Sequence, residues 1–223
     1  MKLIAMLTGV AMGSAAMADI YTDTTGELFD NSFAHLDISS VAVSHTAMHI
    51  TFDVELVGNI NATNWGKYCI GINTGAANSD TTNGWGRNVS WGGQAINYWV
   101  GTWADTGGEV RQMTGANNGS NNLIDATYNG GTQMTVTASG FHQIITFSRA
   151  SIGFTGNGTI LFDVLSTGGG ADPGVDHLSR SDMSTPGWGT TSVSGNFLAY
   201  TIPTPGSLGL MGLASLAVIR RRR

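Results

Sequence analysis

From His49 to Leu56 the chain reads "HITFDVEL", in which Ile50, Phe52, Val54 and Leu56 alternate with Thr51, Asp53 and Glu55. Successive side chains of a strand point to opposite faces, so this period of two describes a strand with one face in a core and the other in water. "HLDISSVAV" places a second strand near 36–43, joined to the first, near 48–57, by a turn at Ser44, His45, Thr46 and Ala47. "KYCIGI" (67–72) repeats the alternation with Tyr68, Ile70 and Ile72, and further short apolar runs occupy 96–103, 133–138, 142–148, 160–166 and 196–202. Clusters of Gly, Asn, Asp and Thr punctuate the runs, as turns require. No stretch between 19 and 202 sustains a helical period. The expected fold is all-β: a single antiparallel β-sandwich, jelly-roll-like, of about eight to ten strands. The segments 73–94, 104–122 and 166–189 read as long Gly- and Asn-rich loops, the places where a sandwich carries its binding residues or a plain rim.

Charge enters the argument through its scarcity. Only 11% of residues are charged and 32 are Gly, a combination that could suit a disordered chain, but six tryptophans and the repeated alternation argue for a core. Residues 19–202 hold five basic side chains (Lys67, Arg87, Arg111, Arg149, Arg180) against all fifteen acidic ones, a formal charge of −10. Such a surface repels phosphate backbones, so no nucleic-acid partner is expected. Cys69 has no second cysteine to pair with and reads as a small buried hydrophobe in "YCIGI".

The two ends carry addresses. Lys2, the apolar stretch Leu3 to Ala11 and the small residues Ala16 and Ala18 form the pattern of a signal peptide over 1–18, cleaved before Asp19. The other end reads "IPTPGSLGLMGLASLAVIRRRR", with an apolar run from Leu208 to Ile219 before the four arginines. Twelve helical residues span about 18 Å, short of the roughly 30 Å of a bilayer core. Starting the membrane segment near 206 and letting the arginines snorkel narrows the gap. The positive-inside tendency leaves residues 19–202 on the outer side. Pro203, Thr204 and Pro205, the apolar run, and Arg220, Arg221, Arg222 and Arg223 come in the order of the PEP-CTERM sorting signal of Gram-negative bacteria, which the tail resembles. Thr204 stands where that family has Glu. The resemblance implies a membrane exosortase as processing partner, a transient membrane anchor, and a final place on the cell surface or in an exopolysaccharide and biofilm matrix. The expected organisation is a signal helix (1–18), a β-sandwich (19–202) and a sorting tail with an apolar helix (203–223).

The segment "NWGKYCIGINTGAANSDTTNGWGRNVSWGGQAINYWVGTW" (64–103) is similar to domains found beside such tails in planctomycete-type bacteria. More loosely, 19–202 resembles the β-sandwiches of family 9 carbohydrate-binding modules and DOMON-like domains. The shared features are the opening "TDTTGELFD", the strand "HITFDVEL", a Trp before the next strand, and an aromatic strand after a glycine loop. That resemblance implies a glycan ligand and names no ligand residues. The residues themselves offer candidates, because sugars stack their C–H faces on exposed rings and pair their hydroxyls with amides and carboxylates. Trp85, Trp91 and Trp188 sit among loop glycines, with Arg87 and Asn97 as polar company; Trp65, Tyr68, Trp99 and Trp103 lie on or near strands and read as core. Arg87 could instead tie its loop to a carboxylate. Calcium takes carboxylate, amide and carbonyl oxygens, for which Asn73 with Asp80, and Asp172 with Asp176, are the candidate donors.

Catalytic patterns are missing from the chain. It contains no Gly-x-Ser-x-Gly, His-Glu-x-x-His, P-loop or Cys-x-x-Cys, and the five histidines are scattered. Asp53 and Glu55 read as the solvated face of a strand. The expected protein is a non-enzymatic, surface-sorted matrix component that binds glycan through loop tryptophans. A structural envelope protein without a ligand is the alternative. An extracellular polysaccharide hydrolase ranks third, since it would need two carboxyls about 5–9.5 Å apart in an aromatic cleft.

Overall fold

The structure is a computed structural model that describes residues 18–191 and 194–203. Ala16, the tail motif from Thr204 to Arg223, and the signal and apolar helices lie outside the described residues. Twelve strands are described: β1 (Asp19–Thr22), β2 (Ile38–His45), β3 (His49–Leu56), β4 (Lys67–Asn73), β5 (Tyr98–Trp103), β6 (Gly108–Met113), β7 (Asn121–Ala126), β8 (Met134–Ser139), β9 (His142–Ser148), β10 (Gly158–Thr167), β11 (Gly174–His177) and β12 (Leu198–Ile202). Helical structure among these residues is limited to short 3-10 turns, the longest at Asn31–Leu36, and none is long and apolar enough to cross a membrane.

The strands form two antiparallel sheets, ordered β1-β2-β3-β9-β8 and β11-β10-β4-β5-β6-β7. One edge of β10 is shared: its first half pairs with β12 and its last residues with β11. The alternation read in "HITFDVEL" delivers Ile50, Phe52, Val54 and Leu56 into a core cluster with Val41 and Val43 of β2. Tyr68, Ile70 and Ile72 of β4, Val100 of β5, and Ile160, Phe162 and Val164 of β10 enter the same cluster from the second sheet. Phe52 and Phe162 meet edge to face across the two sheets at 5.2 Å. Each such side chain contributes roughly 1.5–3 kcal/mol when fully buried.

The second sheet is covered on its other face as well. Val89, Trp91 and Ile96 of the segment between β4 and β5 pack on Cys69, Trp99, Met113 and Leu165. Residues 73–94 are thus a folded cover, not an open loop. The expected loop 104–122 contains β6 and the start of β7, and 166–189 contains β11. β6 escapes a reading by hydropathy because its outward residues, Glu109 and Arg111, pair with each other under that cover.

Candidate functional site

The loop tryptophans near β4 and β5 are spent on packing. Trp91 is fully buried, its ring lying where a Cβ on Gly71 would stand, 2.4 Å from Cζ2. Its indole N–H donates to Asp163 Oδ2 at 3.0 Å, and Asp163 is the residue opposite Gly71 on β10. Trp85 repeats the device one strand over. Its ring occupies the space above Gly101, and its N–H donates to Glu109, which is opposite Gly101 on β6. Burial works against charge on Glu109, yet donors from Arg111, Trp85 and Tyr128 hold its carboxyl below the usual range.

Two of the expected glycan contacts, Trp91 and Asn97, are therefore corrected. Trp91 is inaccessible, and Trp85 is half-buried against Trp99 and Trp103. Asn97 is buried too: Oδ1 accepts from Thr74 N, while Nδ2 donates to Ala76 O and Asn78 O. Arg87 ties the cover down, through a carbonyl and not a carboxylate. Its guanidinium lies 5.3 Å over the Trp85 ring and donates to Gly168 O at 2.9 Å.

Trp188 behaves differently. It is 37% exposed and meets Phe29, Phe33 and Trp65 edge to face, at centroid distances of 5.1, 5.4 and 5.8 Å. Phe33, Trp65, Gly169, Asp172 and Trp188 line a pocket of ≈ 290 Å³. Gly168 stands next to two of the lining residues: a Cβ there would stand 2.4 Å from Asp172 Oδ2 and 3.0 Å from the Trp188 ring. Behind Trp65 lies His35, whose ring is 5.1 Å away and whose pKa burial lowers, so it packs as a neutral imidazole. The pocket offers apolar faces at a steep angle, 79° between the two indoles, with one carboxylate at the rim. Phe33 and Trp65 were missed as site residues. Trp65 reads as core because a strand follows, and only the tertiary fold brings residues 29–33, 65, 172 and 188 together.

The expected calcium donors are not gathered. Asn73 is used within its turn, donating to Ala95 O and accepting from Gly75 N. Asp80 accepts from Thr82 N, Thr82 Oγ1, Asn118 N and Gly119 N, all near 3 Å, so its oxygens have no capacity left for a metal. Asp172 belongs to the aromatic pocket. Asp176 lies elsewhere, with one oxygen of each of Asp23, Glu27 and Asp176 within 4.8 Å of the others. Asp37, 3% exposed, adds its charge to all three. Burial, then these mutual repulsions, push the Asp23 carboxyl up to about 8 and Asp176 well above the usual range.

Two His–Asp pairs occur among the described residues. His177 Nδ1 and Asp163 Oδ2 are 2.7 Å apart and wholly buried, where no substrate reaches them in this arrangement. His142 Nδ1 and Asp53 Oδ1, 2.9 Å apart, face solvent on the outer side of the first sheet. Glu55 accepts from Ser40 Oγ there. No protein-family model matches the chain, and no curated protein matches it.

Proposed function

We propose that the chain is an exported, surface-sorted, non-enzymatic protein of an exopolysaccharide or biofilm matrix, and that it binds glycan in the pocket of Phe33, Trp65, Asp172 and Trp188. The two sheets are, in this reading, the layers of a jelly-roll-like sandwich, which the single core shared by both sheets supports. Export, processing by an exosortase and the transient membrane anchor rest on the signal pattern and on the resemblance of the tail.

The observation that carries the glycan reading is the exposed Trp188 ring standing beside Asp172 in an otherwise aromatic pocket. A sugar lays its C–H face on an indole while its hydroxyls donate to a carboxylate. The pocket is at the small end of the roughly 300–1,000 Å³ of ligand sites. Its indoles form a corner in place of a flat platform, so a single sugar residue or a chain end fits it better than the side of a long polymer.

The test is affinity electrophoresis of the full-length protein through gels containing exopolysaccharide from the native host. Trp188→Ala and, as an exposed control outside the pocket lining, Phe141→Ala run beside it. Retardation of the wild type and Phe141→Ala but not of Trp188→Ala is expected. Free migration of all three sinks the glycan reading. The burial of Trp91 and the packing of Trp85 against Trp99 would then favour a structural envelope protein without a ligand.

A further inference from the structure

We propose that Asp23, Glu27 and Asp176, with the buried carboxylate of Asp37 beside them, form a calcium site that pins the segment 23–37 onto β11. The three oxygens of Asp23, Glu27 and Asp176 that lie within 4.8 Å of one another are spaced for a common ion. Calcium holds its ligands at about 2.3–2.6 Å, so two ligands on opposite sides of the ion stand about 4.6–5.2 Å apart.

The carboxylates are close, and their oxygens are also unserved. Asp37 is 3% exposed; its Oδ2 accepts from Gly26 N, while no protein donor lies within hydrogen-bonding geometry of Oδ1. The same is true of Asp23 Oδ2 and of both Glu27 oxygens, all shielded from solvent. Asp176 Oδ2 accepts from Ile38 N at 2.6 Å, which fixes the carboxylate where β2 begins. Among the described residues no Lys, Arg or His forms an ion pair with any of the four. Buried carboxylates elsewhere in this chain are met by donors, as Asp80 and Glu109 are. Four clustered acids with only one backbone donor each to Asp23, Asp37 and Asp176, and no cation, are costly unless neutralised, by protons or by a metal.

The donor set chooses the metal. It is oxygen throughout, with neither imidazole nor thiolate, which selects a hard cation. The ligands come from the loop after β1 and from β11, with Asp37 just before β2 beside them, an irregular frame that suits the variable geometry of calcium better than the strict octahedron of magnesium. Three of the four acids also have an apolar neighbour in one small cluster: Leu28 follows Glu27, Leu36 precedes Asp37 and Val175 precedes Asp176. Phe29, Phe33 and Trp65 pack against that cluster, so the ion would brace the wall of the aromatic pocket. The metal site itself does not depend on the glycan reading.

The test is isothermal titration of the EDTA-stripped full-length protein with CaCl2 and with MgCl2, in the absence of any glycan. One calcium per chain is expected, with magnesium at least tenfold weaker. Calcium at a hundredfold excess over its Kd should raise the melting temperature by about 5–10 °C. Glu27→Gln, in a half-buried loop position, should weaken calcium at least tenfold without lowering the melting temperature of the stripped protein. Asp176→Asn should abolish binding, and Glu27→Gln stands as the test where that variant does not fold. A wild type that shows neither heat nor thermal shift at millimolar calcium overturns the proposal. Unchanged affinity in Glu27→Gln overturns the assignment of the ligands. Calcium binding together with free migration in the exopolysaccharide gel would uphold this site and remove the glycan reading alone.

Discussion

Gly71 and Gly101 decide where two indoles can lie, because each leaves the sheet surface bare where a ring must touch backbone. An added methyl on Gly101 would stand 2.1 Å from the Trp85 ring, so Gly101→Ala should cost about 1–3 kcal/mol in urea unfolding. If the ring contact is the cause, pairing it with Trp85→Leu should make the two costs non-additive by about 0.5 kcal/mol or more. Strict additivity would mean that Trp85 is not what Gly101 makes room for. Asp80 gives a second prediction at this scale. Burial alone would raise its pKa, but the donors from Thr82, Gly119 and Asn118 outweigh it and hold the carboxyl below the usual range. A depressed folded-state pKa contributes stability that is present above the unfolded value, near 3.9, and is lost as pH falls through the folded one. Asp80→Asn presents an amide to donors that need an acceptor, and should cost about 1–3 kcal/mol at neutral pH. The difference from wild type should shrink on acidification below about pH 4. A difference that stays constant from pH 7 to pH 3 would show that the charge on Asp80 is irrelevant.

The turn between β10 and β11 is where element structure meets the pocket. It carries Gly168 and Asp172, and the Arg87 guanidinium holds it through the Gly168 carbonyl. A Cβ on Gly168 would press on Asp172 Oδ2 and the Trp188 ring, both of which can yield by moving, so the strain would be relieved at the pocket walls. Gly168→Ala should therefore weaken retention in exopolysaccharide gels several-fold while changing unfolding free energy by no more than about 1 kcal/mol. Full retention with intact stability would show that Asp172 and Trp188 do not serve as a matched pair. The same turn shows what a sequence can and cannot announce. β3, β4 and β9 were legible because apolar and polar residues alternate on strands that feed one core. β6, β7 and β11 were not, since Glu109, Asp125 and Asp176 are polar residues buried within the fold, where Glu109 pairs with Arg111 and Asp176 accepts from Ile38 N far off in sequence. Trp188 was legible as a candidate through its flanking glycines, whereas Trp85 and Trp91 look alike in a string. Only Gly71 and Gly101, on the strands beneath them, mark them as packing residues, and that pairing is tertiary.

At the scale of the whole molecule, the segment 23–37 bridges the two sheets. Tyr68 OH and Ser166 Oγ of the second sheet donate to His35 O and Leu36 O, and Ile38 N at the start of β2 donates to Asp176 on β11. These bonds hold the far end of the segment, but its beginning, from Asp23 to Glu27, meets β11 at the buried, clustered carboxylates of Asp23, Glu27 and Asp176. Without a cation the segment should open more readily than the strands beneath it, because local stability falls where charges oppose and donors are missing. A bound ion reverses that balance by mass action, which acts only on the opening that exposes the ligands. Hydrogen exchange of the full-length protein should show amides of 23–37 and 174–177 exchanging faster than those of β3, β4 and β9 in EDTA. At calcium about ten times its Kd, exchange in those two segments alone should slow about tenfold. Uniform slowing along the chain would instead mean that the ion, wherever it binds, stabilises only against global unfolding. In that case 23–37 folds with the sheets as one unit, and the pocket it walls would be rigid with or without the metal.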